Sequence, residues 1–144
     1  MTDKIYITNN EEETENIATE IAKTIPFGSC IALRGNLGAG KTVFARGFAR
    51  GLNIDDIVSS PTFTLVKEYQ TDNNQWLYHL DLYRISDSDA ALAFGIDEYL
   101  SDPNGITLIE WPERIDDLFT SETIFIDIER TGENRRKITL KKNS

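Results

Sequence analysis

Hydrophobic and polar positions along this chain switch between a period of two and a spacing of three to four. Lys4-Ile5-Tyr6-Ile7-Thr8 alternates like a short strand. Ile17, Ile21 and Ile25 then give residues 11–25 the apolar face of a helix. Asn9 or Asn10 caps it, acids fill its first turn where the helix dipole favours them, and Pro26 and Gly28 end it. Residues 29–34 form a short apolar run suited to a buried strand. Phe44, Phe48 and Leu52 restore helical spacing over 42–52, and Gly51 can stop that helix. Residues 63–69 and 75–83 read as two strands around the polar turn Thr71-Asp72-Asn73-Asn74, a hairpin that makes part of the sheet antiparallel. Period-2 alternation places Leu77, His79, Asp81 and Tyr83 on one face of the second strand. Residues 86–94 read as a capped helix ended by Gly95, and 96–100 as a helical turn. Residues 106–110 are mostly apolar and close on Glu110; Trp111 and Pro112 then lead to a helix near 114–118. Two final strands, 122–128 and 137–141, flank a turn at Gly132. The pattern predicts an α/β protein with a mixed, partly antiparallel central sheet.

At 144 residues the chain is expected to form one domain over 1–144. Such a domain buries roughly 68–70% of its unfolded surface, enough for a real core. No apolar run approaches the ~18 residues that span a bilayer, and no basic stretch followed by an apolar one marks a signal peptide. Cys30, the single cysteine, falls in the predicted buried strand and reads as a small core residue. These features lead to the expectation of a cytoplasmic protein with no membrane partner. The net charge of −9 argues against tight, direct nucleic-acid binding. A local basic cluster, Arg130, Arg135, Arg136, Lys137, Lys141 and Lys142, is either a solvated strand pair or a contact to a nucleotide or an acidic partner.

Between the second strand and second helix lies Gly35-Asn36-Leu37-Gly38-Ala39-Gly40-Lys41-Thr42, which reads G-x-x-x-x-G-K-[ST], the phosphate-binding loop of P-loop NTPases. Glycines let the backbone take positive φ and approach a ligand without a Cβ clash. Successive N–H groups then cradle phosphate oxygens. The Lys41 ammonium reaches the β- and γ-phosphates, the Thr42 hydroxyl suits Mg²⁺, and the helix dipole faces the anion. Strand, glycine loop and helix occur in the order this mechanism needs, so the fold is expected to be a P-loop NTPase-like three-layer α/β architecture. Ligands of open α/β sheets gather at the carboxyl ends of strands, where Glu110 would face a metal on Thr42. Ser59, Ser60, Thr62 and Thr64 around Pro61 are either a plain loop or a segment that senses a γ-phosphate.

The glycine loop, Ser60-Pro61-Thr62-Phe63-Thr64-Leu65-Val66, His79-Leu80-Asp81-Leu82-Tyr83-Arg84, Phe94-Gly95-Ile96 and Leu108-Ile109-Glu110-Trp111 occur in one order. In that order the chain closely resembles the TsaE (YjeE) family over about residues 4–142. The resemblance implies an ATPase of tRNA threonylcarbamoyladenosine (t6A) synthesis at adenosine 37. It implies ATP or ADP and Mg²⁺ as ligands and a TsaD–TsaB partner pair, with tRNA reached through that complex. It further implies nucleotide contacts from Thr14, Gly38, Ala39, Gly40, Lys41, Thr42 and Arg136. Metal binding is implied for Thr42 and Glu110, and catalytic roles for Asp81, Glu110 and Lys41. Asn36 stands where the family often has Asp, and Val43 where it often has Thr; neither change removes loop backbone or a metal ligand.

Two other classes share these residues. A small-molecule kinase on this fold usually carries an arginine-rich lid, and no loop here combines length with clustered arginines. A nucleotide-gated assembly module would bind without meaningful turnover. A GTPase is disfavoured, because Asp102-Pro103-Asn104-Gly105 precedes its strand and no N-K-x-D motif exists.

Overall fold

A computed structural model describes residues 3–36, 38–56, 58–59, 61 and 65–142, without the Lys142 side chain. The elements are β1 (Lys4–Thr8), α1 (Glu11–Ala22), β2 (Cys30–Arg34), α2 (Lys41–Gly51), β3 (Val66–Gln70) and β4 (Trp76–Asp81). There follow α3 (Ser88–Ala93), α4 (Ile96–Leu100), β5 (Gly105–Glu110), a 3-10 segment (Pro112–Leu118), β6 (Ile124–Arg130) and β7 (Arg136–Lys142).

The strands form one mixed sheet in the order β1-β7-β6-β2-β5-β4-β3. The four central strands, β6, β2, β5 and β4, are parallel. β3 adds to β4 as the expected antiparallel hairpin, and β7 and β1 extend the other edge antiparallel. Both faces of the centre are covered, so its strands read as nearly continuous apolar runs; β5 is buried at every position. α1 and α2 pack on one face, where Ile21, Phe44 and Phe48 meet Ile31, Leu33, Leu77 and Leu108. On the other, Ala91, Ile96 and Ile115 cover Tyr78, Leu80 and Ile109. This gives the expected three layers.

The two helices pack closely because glycines face α1. A Cβ on Gly47 would lie 2.3 Å from the Glu15 carbonyl oxygen, and one on Gly51 would lie 2.5 Å from that of Thr19. The Thr19 hydroxyl donates to the Gly47 carbonyl at 2.8 Å. The Asn10 side chain caps α1 by accepting from the Glu13 N–H at 2.8 Å.

Boundaries move from the sequence expectation where a local interaction competes. α1 stops at Ala22 rather than 25, because the residue before Pro26 is steered away from helical angles; Ile25 is buried all the same. α3 starts at Ser88 because Asp87 is the cap, its side chain accepting from the Ala90 N–H at 2.9 Å. β4 stops at Asp81, whose carboxylate accepts from the Tyr83 N–H at 2.9 Å and turns the chain out of the sheet. Tyr83 therefore leaves the face it was expected to share and is exposed. The helix near 114–118 is a 3-10 segment kinked at Ile115. The final strands are shifted to 124–130 and 136–142, so Arg136 lies inside β7.

Candidate nucleotide site

β2 ends at Arg34, and the glycine loop carries the chain from there into α2. Gly38 and Gly40 take φ of +81° and +104°, which side chains resist. A Cβ on Gly35 would meet the Ile128 carbonyl oxygen of β6 at 2.9 Å. The Ala39 N–H closes the loop on the Asn36 carbonyl at 2.9 Å. α2 begins without a side-chain cap and with no acid in its first turn, unlike α1 with Glu11, Glu12 and Glu13. Its positive end is thus left for an anion.

This loop borders a cleft of about 670 Å³ lined by Thr14, Gly38, Gly40, Lys41, Thr42, Asp81, Glu110, Arg136 and neighbours. Strand order explains the convergence. β2, β5 and β4 are adjacent and parallel, so their carboxyl ends meet on one edge. Asp81 pairs with Glu110 in register, and Glu110 pairs with Leu33 beside the loop. A second cleft, of about 610 Å³, contains Ile25, Phe27, Cys30, Phe119 and Ile124 and has no glycine loop. Chemistry rather than size separates the two.

Lys41, Asp81 and Glu110 are 7%, 4% and 4% exposed. The Lys41 ammonium lies 3.9 Å from Glu110 Oε1 and 4.5 Å from the centre of the Trp111 ring. The other carboxylate oxygen, Oε2, is 2.6 Å from His79 Nε2. Two carboxylates and an ammonium are thus buried at this cleft. Among the described residues no cluster of three His, Cys, Asp or Glu side chains could cage a metal. Mg²⁺ does not need one, since it keeps waters and takes phosphate oxygens with one or two protein ligands. The Thr42 hydroxyl and Glu110 carboxylate are hard oxygen donors on the same cleft and fit that demand.

The predicted residues are brought together with one exception. Ala39 does not line the cleft; its side chain is buried in the core, and its carbonyl accepts from Arg136 Nε at 2.7 Å. Arg136 Nη2 also reaches the Gly38 carbonyl at 3.5 Å, so this guanidinium braces the glycine loop from β7. The Thr14 hydroxyl is shared with that of Thr8 at 2.7 Å, tying α1 to β1 at the cleft wall. Ser60, Thr62, Phe63 and Thr64, the core of the proposed sensing segment, lie outside the described residues.

Three contributors were not legible as site residues. Trp111, at φ +59°, turns the chain after β5 and places its ring against Lys41. Tyr83 packs against it at a tilt of 58°, with centroids 5.0 Å apart. His79, expected to share a strand face with Asp81, pairs with Glu110. Only the adjacency of β4 and β5 reveals that pairing.

Cys30, Tyr78 and Asp102 titrate away from their ordinary ranges, all outside this cleft. Burial pushes the Cys30 thiol up to about 12. Burial and then the Asp102 carboxylate push the Tyr78 phenol up, while the Tyr78 hydroxyl, donating at 2.5 Å, holds Asp102 down.

Among the described residues no helix is long and apolar enough to cross a membrane. The family model for "Threonylcarbamoyl adenosine biosynthesis protein TsaE" matches residues 8–138. The chain is 46% identical over 132 residues to the tRNA threonylcarbamoyladenosine biosynthesis protein TsaE of Bacillus subtilis (strain 168), covering 92% of this chain and 81% of that one. It is 40% identical to the protein of the same name from Aquifex aeolicus (strain VF5), covering 95% of each. The crystal structure of Bacillus subtilis YdiB superposes with a TM-score of 0.83 at 38% identity, over 99% of this chain and 87% of that one. With its glycine loop, its strand-end acids and this match over most of its length, the chain belongs to the TsaE family.

Proposed function

We propose that the protein binds and hydrolyses ATP with Mg²⁺ to support t6A modification of tRNA in concert with TsaD and TsaB. One observation carries the nucleotide reading: the glycine loop, Lys41, Thr42, Asp81 and Glu110 converge on one cleft at the carboxyl ends of adjacent parallel strands. The tRNA reading rests on the names of the relatives, which are t6A biosynthesis proteins.

Each side chain has a task. Backbone N–H groups of the loop and the uncapped start of α2 receive the phosphates. Lys41 exchanges its contacts with Glu110 and Trp111 for the β- and γ-phosphates. Thr42 and Glu110 would hold Mg²⁺, which would supply charge neutralisation at the phosphates. Asp81 orients the attacking water or the outer shell of the metal. Arg136 keeps the loop carbonyls turned away from the phosphates. A net charge of −9 suits a subunit that reaches tRNA through partners.

Titration calorimetry with ATP, with and without Mg²⁺, tests the reading. One site, tightened by Mg²⁺, is expected; absence of ATP binding would remove it. Glu110→Gln should retain nucleotide and lose hydrolysis.

A further inference from the structure

We infer that His79 is a positioning residue that fixes the Glu110 carboxylate for the metal site, an inference that rests on the metal role proposed for Glu110. His79 is the one histidine of the chain and is 0% exposed. It sits on β4, paired with Lys67 of β3 and Leu108 of β5. Two residues further along both strands, Asp81 pairs with Glu110. The imidazole therefore reaches diagonally across the β4–β5 ladder, and its Nε2 lies 2.6 Å from Glu110 Oε2.

Among the described residues the ring has no other hydrogen bond: Nδ1 is buried with no partner. A histidine that only satisfied the core would be expected to bond through both nitrogens. A leucine would fill much the same space and leave no orphaned nitrogen. What the imidazole adds is its single bond to a carboxylate of the cleft. With a proton on Nε2 the ring donates to Oε2 and leaves Nδ1 without a partner among the described residues.

The two oxygens of Glu110 are thereby divided. Oε2 is tethered below the cleft by His79, and Oε1 is the oxygen near Lys41. When Lys41 turns to phosphate, Oε1 is left for the metal shell with its direction already set. A free carboxylate would have to be ordered at that moment. Outer-shell partners of this kind are typically worth about 10- to 100-fold in metal affinity or activity.

The test is the affinity of a fluorescent ATP analogue in EDTA and in Mg²⁺, for wild type, His79→Leu and His79→Gln. Affinity in EDTA should be unchanged in all three. His79→Leu should lose about 10- to 100-fold of the Mg²⁺-dependent gain. His79→Gln, which retains an N–H near the Nε2 position, should recover most of it. In a Glu110→Ala background, His79→Leu should have no further effect. A wild-type Mg²⁺ gain in His79→Leu would overturn the inference and leave the nucleotide reading intact. A wild-type protein indifferent to Mg²⁺ would overturn the metal reading and this inference with it. If His79→Leu does not fold, the single histidine gives a direct readout in the wild-type protein. Its ring ¹⁵N–¹H spectrum should show the Nε2-protonated tautomer and should shift when Mg²⁺ is added to nucleotide-loaded protein. A proton on Nδ1 with Nε2 bare, or no response to Mg²⁺, would overturn the inference.

Discussion

Replacing Lys41 with alanine perturbs two states of the cleft at once. Without nucleotide, the ammonium is 3.9 Å from Glu110 Oε1 and 7% exposed. At an effective dielectric near 20, two charges at that separation attract by about 4 kcal/mol, and desolvation of both offsets much of this. Lys41→Ala should therefore destabilise the nucleotide-free protein by about 1–3 kcal/mol, the cost of leaving a buried carboxylate without its cation. For a chain of this size that is a fall in Tm of about 2–4 °C per kcal/mol. With nucleotide, the variant loses a charge-assisted hydrogen bond to phosphate worth about 1.5–3 kcal/mol. Wild-type Lys41 must give up Glu110 and Trp111 to make that bond, so the lower half of the range applies. ATP affinity should drop about 10- to 50-fold. Calorimetry at a temperature where the variant is fully folded separates the two effects. Unchanged ATP affinity in folded Lys41→Ala would refute the assignment of the loop.

Asp81→Asn should abolish most hydrolysis with little change in Tm, if Asp81 acts on water or metal; a large stability loss with proportionate activity loss would make it structural, through its bond to the Tyr83 N–H. Gly47→Ala should lower stability by about 2 kcal/mol or more despite alanine's better helix propensity of about 1 kcal/mol, because its Cβ would meet the Glu15 carbonyl at 2.3 Å and force α1 outward; thermal denaturation reads this, and an unchanged Tm would contradict the helix packing. Native Cys30 should react with iodoacetamide at pH 8.5 at least about 100-fold more slowly than in denaturant, since its pKa near 12 leaves little thiolate. Because the unfolded thiol ionises first, the folded protein binds more protons between about pH 9 and 12, so this group contributes stability below that window that is lost as pH rises through it; equal labelling rates for this half-buried thiol would count against its raised pKa.

The fold was legible where one physical signal dominated. Apolar runs bounded by glycine located β2 and β5, and the polar turn at 71–74 announced the β3–β4 hairpin. Local competitors set the ends: Pro26 shortened α1, Asp87 displaced the expected start of α3, and the Asp81 side chain cut β4 short of Tyr83. The site was legible at the loop because its glycines, lysine and hydroxyl are contiguous. Glu110 was found as a strand-end acid and Asp81 through the family resemblance, yet their register depends on β4 lying beside β5, which no local pattern encodes. The Glu110–His79 bond and the Trp111 ring over Lys41 were hidden for the same reason. Arg136 was expected at the nucleotide, and its hold on the Ala39 and Gly38 carbonyls emerges only when β7 is folded against the loop.

The central claim is tested most directly by ATP hydrolysis measured for the protein alone, with TsaD and TsaB, and with tRNA added, alongside t6A formation. Slow turnover alone, a rise with the partners, t6A formation that requires the protein, and loss of both signals in Glu110→Gln are predicted. Turnover indifferent to the partners, or t6A formed as fast with Glu110→Gln as with wild type, would contradict the account.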